Sequence, residues 1–176
     1  MRGLMAIEPG LAEMASRVEE MIRPQIAAIE KLQEANLLKV IRSFQACRVG
    51  QEHFVPSTGY GYGDAGRDTL EAVYAHAFGA QAALIRPQIV SGTHAISLCL
   101  FGIMRPGDEL LSATGPLYDT LEEVVGLRGA GKGSLRDFGI TYSEAPLGPG
   151  GLPDPVQVRS ALKPQTRVVL IQRSRG

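Results

Sequence analysis

In the first third of the chain the apolar positions fall at helical spacing. Leu11, Met14, Val18, Met21 and Ile22, with charges between them, predict a helix over residues 9–34. Pro24 is expected to kink or restart it. Leu37, Leu38, Val40, Ile41 and Phe44 predict a second, short helix over 35–47. Residues 53–66 are rich in glycine and aromatic residues and read as loop. Asp68 or Thr69 is placed to cap the next helix, in which Leu70, Val73, Tyr74 and Ala77 share a face and which Gly79 ends.

From Ala83 onward the pattern alternates. Strands are predicted over 83–90, 109–113, 140–145 and 167–172, and helices over 93–104, 117–128 and 155–162. Short turns between them argue for an α/β domain with a mainly parallel sheet and helices on both faces, preceded by a helical N-terminal arm. The implied division is a helical segment over 1–52 and an incomplete α/β domain over 53–176. The apolar run Arg167-Val-Val-Leu-Ile-Gln172 has the composition of a central strand. A central strand needs a neighbour on each side, and the chain stops four residues later. The sequence therefore reads as truncated.

Composition narrows the functions. Eighteen Lys and Arg balance eighteen Asp and Glu in 176 residues, so no net charge steers the chain toward nucleic acid or an anionic membrane. Aromatics are 6% and there is no Trp, which leaves no evident platform for stacking bases. Cys47 and Cys99 are too few for a disulfide framework, and the N-terminus has no signal-peptide core. The longest uncharged apolar run, Ala95 to Met104, is about half of the ~20 residues that span a bilayer. A soluble cytoplasmic protein is expected.

Two glycine patterns fail as nucleotide motifs. Gly61-x-Gly63-x-x-Gly66 has no strand before it and an arginine, Arg86, where an acid should follow. Gly126-x-x-x-x-Gly131-Lys132 continues with Gly133 in place of the Ser or Thr that would hold magnesium, and it follows a helix. A nucleotide-binding domain is thus a weak third reading. His53, His76 and His94 lack metal-ligand spacing, so no metal site is expected.

One stretch carries chemistry. Ser91-Gly92-Thr93-His94 lies between an extended apolar run and the apolar helix from Ala95, with Ser91 or Thr93 able to cap the helix. A turn into a helix start presents free N–H groups and the positive end of the helix dipole, and phosphate is the usual guest.

Around that turn the chain resembles a known family. The run from Thr58 to Gly129, with FQACRVGQEHF before it and FGITYSEAPLG and VVLIQRSRG after it, is similar to the N-terminal half of the methionine gamma-lyase-like, or aluminium-resistance, proteins. SGTHA, GPLYDT and QRSRG are the most specific segments, and the likeness covers roughly Leu37 to Gly176. These are pyridoxal-phosphate enzymes of fold type I, so the resemblance implies the large-domain fold of that class and pyridoxal 5'-phosphate as cofactor.

The resemblance also implies roles. Ser91, Gly92 and Thr93 would hold the cofactor phosphate, and Tyr118 would stack on the pyridine ring. Tyr60, Tyr62 and Arg67 match a loop that reaches a neighbouring subunit's phosphate; the planar fork of arginine suits that task. Which tyrosine does so stays open, as does the role of His94 between the cofactor and local packing. In the family, the Schiff-base lysine and the acid that keeps the pyridine nitrogen protonated lie beyond the point matched by Gly176. Lys31, Lys39, Lys132 and Lys163 are not in matching contexts, and Lys163 reads as a helix C-terminal charge.

The expectation is a truncated carbon–sulfur lyase-like chain, inactive alone, with weak or absent cofactor binding. Full-length relatives would act on a small amino-acid substrate as homo-oligomers, with no nucleic acid or membrane partner. The alternative is a naturally short, non-catalytic protein that pairs with a complete homologue.

Overall fold

The computed structural model describes residues 8–59, 63–129 and 131–173. The chain divides into two compact units, Met1–Arg86 and Pro87–Gly176.

The first unit is helical. α1 (Pro9–Ala46) is one 38-residue helix with Pro9 in its first turn and Pro24 inside it. The expected restart at Pro24 and the separate helix over 35–47 are therefore corrected. Proline's fixed φ suits a helix and its cost is ~3 kcal/mol. Long runs of strong helix formers on either side absorb that cost, and no glycine or second proline follows before Ala46. A single 3-10 turn (Gln51–Phe54) occupies part of the expected loop.

α2 (Ala65–Phe78) begins earlier than predicted. Asp64, not Asp68 or Thr69, is its cap, accepting the Arg67 N–H at 3.1 Å. Gly66 makes this start possible: a Cβ there would lie 2.5 Å from the His53 carbonyl oxygen. The third glycine of the failed dinucleotide pattern is a packing glycine. Gly79 ends α2 in the left-handed conformation, φ 63°. Ser43, the one buried residue of α1, fastens the two helices through its hydroxyl, 2.9 Å from His76 Nδ1.

The strand predicted over 83–90 does not form. The Ile85 N–H is donated to Glu71 Oε1 at 2.9 Å rather than to a strand neighbour, and Arg86 pairs with the same carboxylate. A turn at Pro87-Gln88 then interrupts the run.

The second unit is α/β. Its elements are α3 (Gly92–Ile103), β1 (Glu109–Ser112), α4 (Asp119–Val125), β2 (Thr141–Glu144), α5 (Pro155–Ala161) and β3 (Thr166–Leu170). Among the described residues the strands form one parallel sheet in the order β2-β1-β3. β1 is the central strand, and all four of its residues are buried. β3, predicted as central, pairs with β1 alone, and its residues alternate between half-buried and exposed. The core joins Leu100 and Met104 near the end of α3, Leu110 of β1, Leu117, and Leu121 and Val125 of α4, closed by Leu135 and Ile140.

A polar pin sits at the amino end of the sheet. Glu109 is 1% exposed, and its carboxylate takes Lys163 Nζ at 2.8 Å, the Thr166 hydroxyl at 3.0 Å and the Ser143 hydroxyl. Burial alone would push this carboxyl up, but those three hydrogen bonds outweigh it and hold it below the usual value. Lys163 is thus the counter-charge of a buried acid, not merely a helix-end charge. The register slips between Glu109 and Leu110 relative to β3, at the residue where the acid reaches both neighbouring strands.

Candidate functional site

The residues singled out in the second unit gather at the carboxyl ends of the parallel strands, the edge where open α/β sheets hold their ligands. Ser91 caps α3: its Oγ accepts the His94 N–H at 3.1 Å and its carbonyl accepts the Ala95 N–H at 3.0 Å. Helix geometry leaves the N–H groups of Gly92 and Thr93 with no intrahelical acceptor. Among the described residues nothing else accepts from them. Two donors and the helix dipole thus point outward from the α3 start.

Gly92 carries a second message. Its φ is not in the left-handed region, and among the described residues a Cβ built on it meets nothing within 4 Å. Neither backbone conformation nor internal packing calls for glycine here. Open space at that Cβ position, in the same helix turn as two unused donors, suits an approaching anion.

The Thr93 hydroxyl lies 2.8 Å from that of Thr120, which ties the α3 start to the first turn of α4. Tyr118 is the residue before α4 and is 37% exposed. His94 Nδ1 accepts the Val90 N–H at 3.4 Å, which shapes the turn into α3.

Arg67 belongs to the first unit, in the opening turn of α2 beside its cap, with Nε 3.4 Å from Asp68 Oδ1. The hydrogen bond from the Ser57 hydroxyl, and next the Arg67 N–H, hold the Asp64 carboxyl below its usual value. Tyr60 and Tyr62 lie outside the described residues.

The near P-loop has its own anion. Asp137 Oδ2 accepts the Gly133 N–H at 2.8 Å, the Ser134 N–H at 3.0 Å and the Ser134 hydroxyl at 2.9 Å. A side-chain carboxylate occupies the donors that a phosphate would take. A separate concavity of about 310 Å³ beside β2, lined by Val125, Leu127, Arg136 and Tyr142 among others, contains none of the predicted site residues. Among the described residues no cluster of His, Cys, Asp or Glu could hold a metal ion, and no helix is long and apolar enough to cross a membrane.

Sequence reasoning missed Thr114, Thr120 and Gln172. The Gln172 side chain accepts the Tyr118 N–H at 3.1 Å, and its own N–H is donated to Thr114 Oγ1 at 3.0 Å. The local signal for Thr120 was its place two residues after Tyr118; Gln172 gave none, because the contact spans 54 positions.

Fold and site together define an α/β protein with a helix start that carries two uncommitted N–H groups at the carboxyl edge of a parallel sheet. The methionine gamma-lyase family matches residues 11–176, and the chain belongs to it. The uncharacterised protein YnbB of Bacillus subtilis (strain 168) is 52% identical over 167 residues, which are 94% of this chain and 40% of that protein. A crystal structure from Listeria innocua, described as a candidate cystathionine beta-lyase involved in aluminium resistance, matches with TM-score 0.85 and 52% identity over 94% of this chain and 40% of that one. A carbon–sulfur lyase involved in aluminium resistance from Clostridium novyi NT matches with TM-score 0.88 and 40% identity, over 96% and 41%. The chain spans about two fifths of the length of these relatives.

Proposed function

We propose that this chain is the cofactor-phosphate portion of a pyridoxal-phosphate-dependent carbon–sulfur lyase, and that its second unit is part of a fold-type-I large domain. The observation that carries the reading is the α3 start: two outward N–H groups beneath a glycine with open space where its Cβ would be. The residues fit the group. The N–H groups of Gly92 and Thr93 bind phosphate oxygens, with the hydroxyls of Ser91 and Thr93 beside them. Tyr118, at the same edge of the sheet, offers an aromatic face to the pyridine ring. Arg67, with Tyr60 or Tyr62, serves the phosphate of a neighbouring subunit in a homo-oligomer.

When bound, the cofactor supplies an electron sink for a carbanion next to the amino-acid nitrogen, and so permits loss of a sulfur leaving group. This chain's own part is to bind and orient. Lys163 is committed to Glu109 at the amino end of the sheet, away from the α3 start. Lys39 Nζ lies 5.7 Å from the centre of the Phe78 ring in the first unit. The lysine that holds the cofactor covalently is assigned to a part of the full-length enzyme outside these residues, as are the substrate contacts.

Borohydride reduction of the chain with pyridoxal 5'-phosphate, read by intact mass, tests this assignment. The expected product is unmodified protein, with reversible binding visible by absorbance before reduction. One stoichiometric adduct on a single lysine would overturn it. A chain that stays unmodified while a full-length homologue bound to it carries the trapped cofactor would favour the short, non-catalytic pairing protein.

A further inference from the structure

We propose that Gln172 is a positioning residue that sets where the Tyr118 ring stands over the cofactor site; this rests on the reading of that site given above. The chain turns sharply after β1, with the Ser112 hydroxyl donated to the Gly115 carbonyl at 2.6 Å. The last ladder bond on the β3 side runs from the Ala113 N–H to the Leu170 carbonyl at 2.9 Å. Two residues further on, Gln172 takes over in both directions. Its backbone N–H is donated to Thr114 Oγ1, and its side-chain oxygen accepts the Tyr118 N–H.

One residue at the end of β3 therefore holds the loop between β1 and α4 at its beginning and at its end. Tyr118 has no side-chain capping bond of its own, and its backbone is extended, φ −64° and ψ 144°. The Gln172 amide is the bond that fixes the Tyr118 backbone nitrogen, and with it the root of the ring. The phosphate cradle has a support of its own in Ser91, within its own turn, and the Thr93–Thr120 hydroxyl pair links it to α4. The structure thus splits the site into a phosphate half and a ring half with different supports.

The split predicts a selective defect. Gln172→Leu removes the acceptor for the Tyr118 N–H and leaves the α3 start untouched. Affinity for pyridoxal 5'-phosphate should fall roughly 3- to 10-fold, as loss of one hydrogen bond of ordinary strength implies. Affinity for inorganic phosphate, measured on the same protein, should not change. Gln172→Glu keeps an acceptor oxygen. Its added charge weighs on both ligands, so the ratio of the two affinities should return to the wild-type value. Thr114→Val, which loosens the other end of the same clamp, should move the ratio in the direction of Gln172→Leu and serves if the leucine variant does not fold. In a Tyr118→Ala background, Gln172→Leu should have no further effect on the ratio.

An equal fall for both ligands would make Gln172 a merely structural residue and overturn the proposal, as would an unchanged ratio in both Gln172→Leu and Thr114→Val. Wild-type protein that binds phosphate but not pyridoxal 5'-phosphate would instead sink the cofactor reading itself, and the positioning role with it.

Discussion

Gly92→Ala separates a glycine kept for the fold from one kept for a ligand. The substitution adds one methyl group in the first turn of α3. The backbone there is not left-handed, and the added carbon meets nothing within 4 Å. The folded chain should accept it without strain. Alanine also restricts the unfolded chain more than glycine does, so stability should rise by about 0.4–1 kcal/mol, or about 1–4 °C in Tm for a chain of this size. Binding should move the other way. A helical Cβ leans toward the helix N-terminus, so the methyl group should crowd the N–H groups that the phosphate would use, and a hydrogen bond to a charged group is worth about 1.5–3 kcal/mol. Losing one such bond weakens phosphate and pyridoxal 5'-phosphate binding about 10- to 100-fold. Thermal melts by circular dichroism and absorbance titrations on the same samples read both effects. A variant that melts lower than wild type would show that packing requires the glycine. One that melts higher but binds pyridoxal 5'-phosphate as tightly as wild type would remove the α3 start from the site.

Gly66→Ala should behave oppositely, because its new carbon falls 2.5 Å from a backbone oxygen of residue 53; a loss of about 1–3 kcal/mol, with faster amide exchange over 51–68, is expected, and an unchanged melt would contradict the close approach. The Glu109 pin predicts an acid limb in stability. Its carboxyl is held below the usual 4.5 in the folded state, so its contribution is complete above the unfolded pKa and is lost as pH falls through the lower, folded one. Glu109→Gln should flatten that limb and cost about 1–3 kcal/mol near neutrality; a limb of unchanged size would place its origin elsewhere. Lys163→Met should leave the buried acid without its cation, raise its folded-state pKa toward the unfolded value and so shrink the limb, which a series of denaturant melts at stepped pH would detect.

Much of the second unit was legible because its elements are locally determined. The α3, α4 and α5 segments and three of the four strands carry their periodicity and end signals in sequence, and Ser91 is a cap by residue type and position alone. What was misread depended on distant partners. Residues 83–90 have a strand's composition, yet Glu71 captures the Ile85 N–H and Arg86, and no local pattern announces that. Pro24 was given more weight than a 38-residue helix of strong formers allows. Asp64 wins the α2 cap because Gly66 lets the helix begin against the backbone of the preceding turn.

The site divides the same way. The proposed phosphate cradle is three consecutive residues, Ser91 to Thr93, and could be read directly, and Tyr118 follows a predicted strand by a few positions. Its supports could not be read, since Thr114, Thr120 and Gln172 make sense only once β3 lies beside β1. Glu109 was hidden for a different reason. An acid opening an apolar strand looks like a solvated end, and only Ser143, Lys163 and Thr166 converging on it reveal a buried charge.

The central claim is that the start of α3 holds the phosphate of a pyridoxal cofactor. The direct measurement is a titration of the chain with pyridoxal 5'-phosphate beside one with pyridoxal, which lacks the phosphate, each repeated with inorganic phosphate as competitor. Saturable binding of the phosphorylated form, displaced by phosphate and at least tenfold tighter than pyridoxal, is the predicted result. Equal binding of the two forms, or binding that phosphate does not displace, would contradict the claim.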